Sequence, residues 1–97
     1  MLHYVAIVED AGPEKAVGVW FPDLPGCFSA GDTLDEAMRN AAEAVTAYAE
    51  ALEQDGHRLP PPRLLSTLKA DADFVADARD HMVALIEVPE RVANAVE

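Results

Sequence analysis

Glu9, Asp10 and Asp23 are the side chains whose type and placement could do chemistry, because acids at strand ends or in turns can converge as a general acid and base. More often such loop acids are simply solvated. His3, His57 and His81 lie in three separate segments, and none stands at the i, i+3 or i+4 spacing of a helical metal pair. Cys27 is the only cysteine, so it forms no internal disulfide and supplies too few ligands for a cysteine zinc site. It reads as a small buried hydrophobe. The chain has no glycine-rich phosphate loop, no Gly-x-Ser-x-Gly elbow and no Cys-His pairing. The expectation is a protein that is not an enzyme, with no catalytic residues, no metal site and no cofactor.

Acidic surface is more abundant than chemistry. Eighteen acidic residues against seven basic ones give a net charge of −11 over 97 residues. That charge repels nucleic-acid phosphate and favours basic surfaces, so direct DNA binding by this chain is not expected. Asp35, Glu36, Glu43, Glu50 and Glu53, with Arg39 among them, fall on the polar side of a long helical pattern. Such a side is either a solvated face or an acidic docking surface that steers a basic partner. On the second reading Glu43, Glu50 and Glu53 contribute to association, mostly through its rate. Trp20 is the other partner-binding candidate: Trp20 and Phe21 are adjacent in a strand, so one ring must point away from the core. The competing reading is that the proline-rich loop and the C-terminal segment cover that ring.

The elements that carry these residues follow from pattern. A length of 97 residues with 51% hydrophobic content fits one domain with one core. No apolar run approaches a membrane span and no export signal is visible, which makes the cytoplasm the default location. Tyr4–Val8, Ala16–Phe21 and Cys27–Ala30 read as three strands, joined by turns too short for a parallel crossover. They form an antiparallel meander. Pro25-Gly26 suits the centre of a type II turn. Thr33 and Glu36 have the spacing of a reciprocal capping box, opening a helix to about Asp55. Its core stripe is expected at Leu34, Met38, Ala41, Val45, Tyr48 and Leu52, with Ala37, Ala44 and Ala51 as a row of small residues that is either an oligomer seam or plain helix propensity. Pro60 to Pro62 should be extended. A short helix is expected near Leu64–Lys69 or Ala72–Ala78, then a fourth strand over Met82–Val88 and a final two-turn helix over Glu90–Glu97. The fold class is α+β: a three-stranded antiparallel meander plus a C-terminal strand, with one long helix packed on the sheet.

Val19-Trp20-Phe21-Pro22-Asp23-Leu24-Pro25-Gly26-Cys27, followed by Gly31-Asp32-Thr33-Leu34-Asp35-Glu36-Ala37 and Asn40-Ala41, closely resembles the HicB-like antitoxin domain. The resemblance continues through Leu52-Glu53-Gln54-Asp55-Gly56 and Leu59-Pro60-Pro61-Pro62, and covers roughly Tyr4 to Pro62. Phe21, Pro22, Asp23, Leu24, Pro25, Gly26, Cys27, Gly31, Asp32, Thr33 and Glu36 carry the motif and read as turn, cap and core residues. The resemblance implies a partial, catalytically degenerate ribonuclease H-like fold. It also implies the antitoxin of a type II toxin–antitoxin pair, which masks the active site of a small basic HicA-like mRNA-cleaving toxin. A homodimer is expected as well. Family members usually append a DNA-binding domain, and none is expected within residues 1–97. Two alternatives are a stand-alone oligomeric binding module without a toxin, and a residual metal-dependent nuclease using Asp10 and Asp23.

Overall fold

In the computed structural model, which describes residues 2–96, the first apolar run forms β1, His3–Glu9. Every residue from Tyr4 to Val8 is buried, so both faces of this strand are covered. The strand period of two sorts them: Tyr4, Ala6 and Val8 enter one core cluster, Val5 and Ile7 another. β2 (Val17–Trp20) and β3 (Phe28–Gly31) complete the expected meander, and β4 (Met82–Glu87) returns antiparallel beside β1. The sheet order is β3-β2-β1-β4. β2 stops before Pro22, which has no N–H to extend a ladder.

Two consecutive turns carry the chain from β2 to β3. Leu24 N donates to Phe21 O at 3.1 Å and Cys27 N to Leu24 O at 3.0 Å. Gly26, at φ +83°, occupies the third position of the second turn, where a type II turn needs a left-handed residue. Phe21, Leu24 and Cys27 are thereby folded into the core.

Helix α1 spans Leu34–Gln54. Glu36 N donates to Thr33 Oγ1 at 3.1 Å, while no bond from the Glu36 carboxylate back to Thr33 forms among the described residues, so the expected box is a single cap. At the other end His57 N donates to Leu52 O and Gly56 N to Glu53 O, the paired bonds of a Schellman stop. The core stripe differs from expectation. Ala37, Ala41, Val45 and Ala49 are buried, whereas Met38, Tyr48 and Leu52 are half-buried and Leu34 is exposed. These four buried residues recur every four positions and form a single ridge. Their small size lets the helix axis approach the sheet, and larger neighbours are pushed to its flanks. Ala37 therefore belongs to the helix–sheet contact, and the row Ala37, Ala44, Ala51 is not an open seam.

The opposite sheet face is covered in part by α2 (Leu65–Leu68) and α3 (Ala72–Asp80), so both expected helical stretches form. Leu68 and Phe74 pack on Val5 and Ile7. The last helix, α4 (Glu90–Ala93), is one turn shorter than expected, and Glu97 lies outside the described residues. Among the described residues no helix is long and apolar enough to cross a membrane.

Candidate functional site

The acids that invited a catalytic reading do not converge. β1 and β2 pair Ile7 with Trp20, and Asp10 and Asp23 run three residues beyond that pair in opposite directions. They therefore lie beyond opposite ends of the β1–β2 ladder. Asp10 Oδ1 accepts from Gly12 N at 3.2 Å and closes its own turn. Asp23, with a side chain only 4% exposed, is taken up by Arg63: Nε donates to Oδ1 and the backbone N to Oδ2. Arg63 Nη1 also donates to Asp71 Oδ2 at 3.0 Å, and Asp71 Oδ1 caps α3 by accepting from Asp73 N and Phe74 N. Asp23 thus fastens the turn after β2 to the segment leading into α3. Neither Arg63 nor Asp71 stood out in the sequence, although Asp71 ahead of Ala72-Asp73-Phe74 is a legible N-cap.

The motif residues act as architecture. Tyr48 OH donates to Pro25 O at 2.9 Å, Asn40 Nδ2 to Ala30 O at 2.8 Å and Ser29 Oγ to Ala37 O at 3.2 Å, which tie α1 to the turn and to β3. Tyr4 OH donates to Pro60 O and anchors the proline run. Burial pushes the Cys27 thiol up from 9.0 to about 11, and burial reinforced by the Asp23 carboxylate pushes the Tyr4 hydroxyl up from 10.0 to about 12. Both folded-state values lie above the unfolded ones, so the stability they carry is fully present below pH 9. It is lost as pH rises through 9 to 12, because the unfolded chain ionises first. For Cys27 a shift of this size corresponds to about 2–3 kcal/mol. Thermal melts from pH 8 to 11 should show the loss beginning near pH 9, and Cys27→Val should delay it to near pH 10. An unchanged onset in Cys27→Val would contradict this assignment.

The acidic residues of α1 form an ordered surface. Glu43, Glu50 and Glu53 are exposed, and none of them is held in an ion pair among the described residues. Glu36, Glu43 and Glu50 recur every seven positions, within about 40° of arc on the side of α1 turned away from the sheet. Glu50 and Glu53 rim a shallow groove with Thr46, Ala49, Val92 and Ala95. These charges do little for the helix. Glu50 and Glu53 sit in its last two turns, where the macrodipole disfavours negative charge, and no basic residue offsets them in the last turn.

Trp20 faces the other side of the sheet and is half-buried against the second core cluster, on which Ala78 of α3 also packs. His81 meets its ring edge-on at 5.3 Å between centroids. The cover expected from the proline-rich loop and the C-terminal segment comes instead from the end of α3. The aromatic left open is Phe28, paired with Trp20 across the ladder and 73% exposed. Strand alternation carried that signal, because Ser29 and Gly31 take the core-facing positions of β3. Among the described residues no group of three or more His, Cys, Asp or Glu is arranged to hold a metal ion.

A family model for the HicB-like antitoxin of bacterial toxin–antitoxin systems matches residues 4–96. An uncharacterized 14.9 kDa protein of Haemophilus phage HP1 is 39% identical over 85 residues, covering 88% of this chain and 59% of its own length. The chain therefore spans about three-fifths of that relative. A UPF0150 protein of Thermoplasma acidophilum is 40% identical over 60 residues, covering 62% of this chain and 84% of that protein. Among solved structures, the Burkholderia pseudomallei antitoxin HicB superposes with a TM-score of 0.73 at 26% identity, over 95% of this chain and 67% of that one. A chain of the HicA3 and HicB3 toxin–antitoxin complex superposes with a TM-score of 0.70 at 27% identity, over 91% of this chain and 99% of that one.

Proposed function

Because this chain belongs to the HicB-like antitoxin family, we propose that it binds a small basic HicA-like mRNA-cleaving toxin and neutralises it by masking the toxin's active site. The observation that carries this reading is the set of exposed glutamates Glu43, Glu50 and Glu53 on α1, held in no ion pair among the described residues, with Glu50 and Glu53 placed where the helix dipole disfavours them. A fold relative solved within a toxin–antitoxin complex supports it. The chain itself performs no chemistry on this reading, and it acts where mRNA is, in the cytoplasm. Coexpression with a HicA-like toxin should restore growth that the toxin arrests. The absence of any association between the two purified proteins by calorimetry would overturn the reading.

The acidic row acts chiefly on encounter. Changing Glu43, Glu50 and Glu53 together to Gln should slow association with the toxin by about tenfold at low salt and flatten its salt dependence, while dissociation changes little. Stopped-flow fluorescence across a salt series measures both rates. Equal association rates for the two proteins would remove these residues from the interface.

A further inference from the structure

The acidic row of α1 acts on the encounter with a basic partner, and a long-lived complex also needs a desolvated apolar contact. Surface suited to such a contact adjoins the row. Between the β2–β3 turn and α1 runs an open trough of about 420 Å³, lined by Gly26, Cys27 and Phe28 on one side and by Ala44, Ala47 and Tyr48 on the other. None of the six is charged. Cys27 is buried, Ala44 half-buried and Ala47 exposed, and the two alanines keep the helix side low. The Tyr48 hydroxyl is already engaged with Pro25 O, so this ring asks for no further polar partner. Phe28 opens the edge strand opposite Trp20 and is the large exposed aromatic at this rim of the sheet. Ala47 joins the trough to the acidic row, because Glu43 lies four positions before it and Glu50 three after, the spacings that make neighbours on a helix surface.

We propose that this trough holds an apolar side chain of the toxin, one that stands beside lysine or arginine on the toxin's surface. The proposal rests on the toxin-binding reading and adds to it the contact that governs how long the complex lasts. Charge selects the occupant. A trough with no charged lining takes an aliphatic or aromatic group, while Glu43 and Glu50, about 5–6 Å from Ala47 along the helix surface, favour a basic residue next to that group. A second copy of this chain fits poorly, since it would bring one acidic surface of a −11 chain against another. Phe28 thereby takes the anchoring role that strand alternation had offered to Trp20 or Phe21.

Rates separate this contact from the acidic row. Phe28→Thr and Ala47→Gln leave the net charge as it is, and each should speed dissociation from a HicA-like toxin by about tenfold, with the association rate and its salt dependence unchanged. Both positions are exposed, so circular dichroism should match that of the unmodified chain. Val75→Thr, at an exposed position of α3, should leave both rates unchanged. Hydroxyl-radical footprinting reads the same contact without a substitution: the toxin should protect Phe28 and leave Val75 open. Failure of the unmodified chain to bind the toxin would overturn the toxin reading and this proposal with it. Binding with an unchanged dissociation rate in either variant, or with Phe28 left unprotected, would overturn the trough contact alone. Protection of Phe28 that rises with the concentration of this chain by itself would assign the trough to a second copy, and so overturn the proposal as well.

Discussion

Arg63→Met should lower the free energy of unfolding by about 3 kcal/mol, measured by urea denaturation. The Asp23 carboxylate is almost closed to solvent and receives the Arg63 guanidinium as well as its backbone N–H. Removing one partner of a buried pair costs about 3–5 kcal/mol, because the remaining charge keeps its desolvation penalty. The low end applies here, since the backbone N–H still holds Oδ2 and the guanidinium side chain is 36% exposed. Arg63→Lys should recover part of the loss, as an ammonium keeps the charge but cannot span Asp23 and Asp71 with a planar fork. The variant should also be less acid-sensitive. Hydrogen bonds from Arg63 first, then from the α3 backbone, hold the Asp71 carboxyl below its usual range. Its stabilising contribution is present above the unfolded pKa and is lost as pH falls through the folded one. A loss under about 1 kcal/mol, the range of an exposed ion pair, would show that this bridge is only a surface contact.

Gly31→Ala should cost about as much, for a reason of space. A Cβ at Gly31 would lie 2.5 Å from Ala37 N and 2.9 Å from the Glu36 carbonyl carbon. Both are backbone atoms of the first turn of α1, so no side-chain rotation relieves the clash. The helix must back away from β3, disturbing the Asn40 and Ser29 bonds to Ala30 O and Ala37 O. Overpacking of this kind costs about 1–3 kcal/mol, and more when backbone must move, out of a total of roughly 5–15 kcal/mol for a domain of this size. Gly18→Ala is the control: it sits in the neighbouring strand with nothing within 4 Å of the added carbon. It should be close to neutral. Equal losses at the two positions would mean that general strand propensity, and not the helix approach, sets the cost.

These two sites mark the boundary of what could be read in advance. The Leu24–Cys27 turn, the Thr33 cap and the Gly56 stop each close within a few residues, so residue type at a fixed offset was enough to place them. The meander followed from alternation and short connections. The α1 stripe did not follow from periodicity alone. Amphipathic spacing locates the apolar side of a helix but not how near its axis comes to the sheet, and that distance moved the contact onto Ala37, Ala41, Val45 and Ala49. The exposed Phe28 and the covered Trp20 have a similar origin. Alternation separates the two faces of a strand, yet only the path of α3 decides which ring is roofed.

The candidate surface divides in the same way. The seven-residue recurrence of Glu36, Glu43 and Glu50 is a property of helical spacing, and the sequence by itself determined that they share one side of α1. It also determined the family, through a motif whose residues turn, cap and fill. Tertiary structure alone decided that Asp23 meets Arg63 forty positions away, that Asp10 stands at the far end of β1, and that β4 lies at an open edge with Val83 and Leu85 on one face. Hydrogen bonds within a turn depend on neighbours the chain cannot avoid. Contacts between distant segments depend on register and approach, which are settled only when the sheet, α1 and α3 pack together.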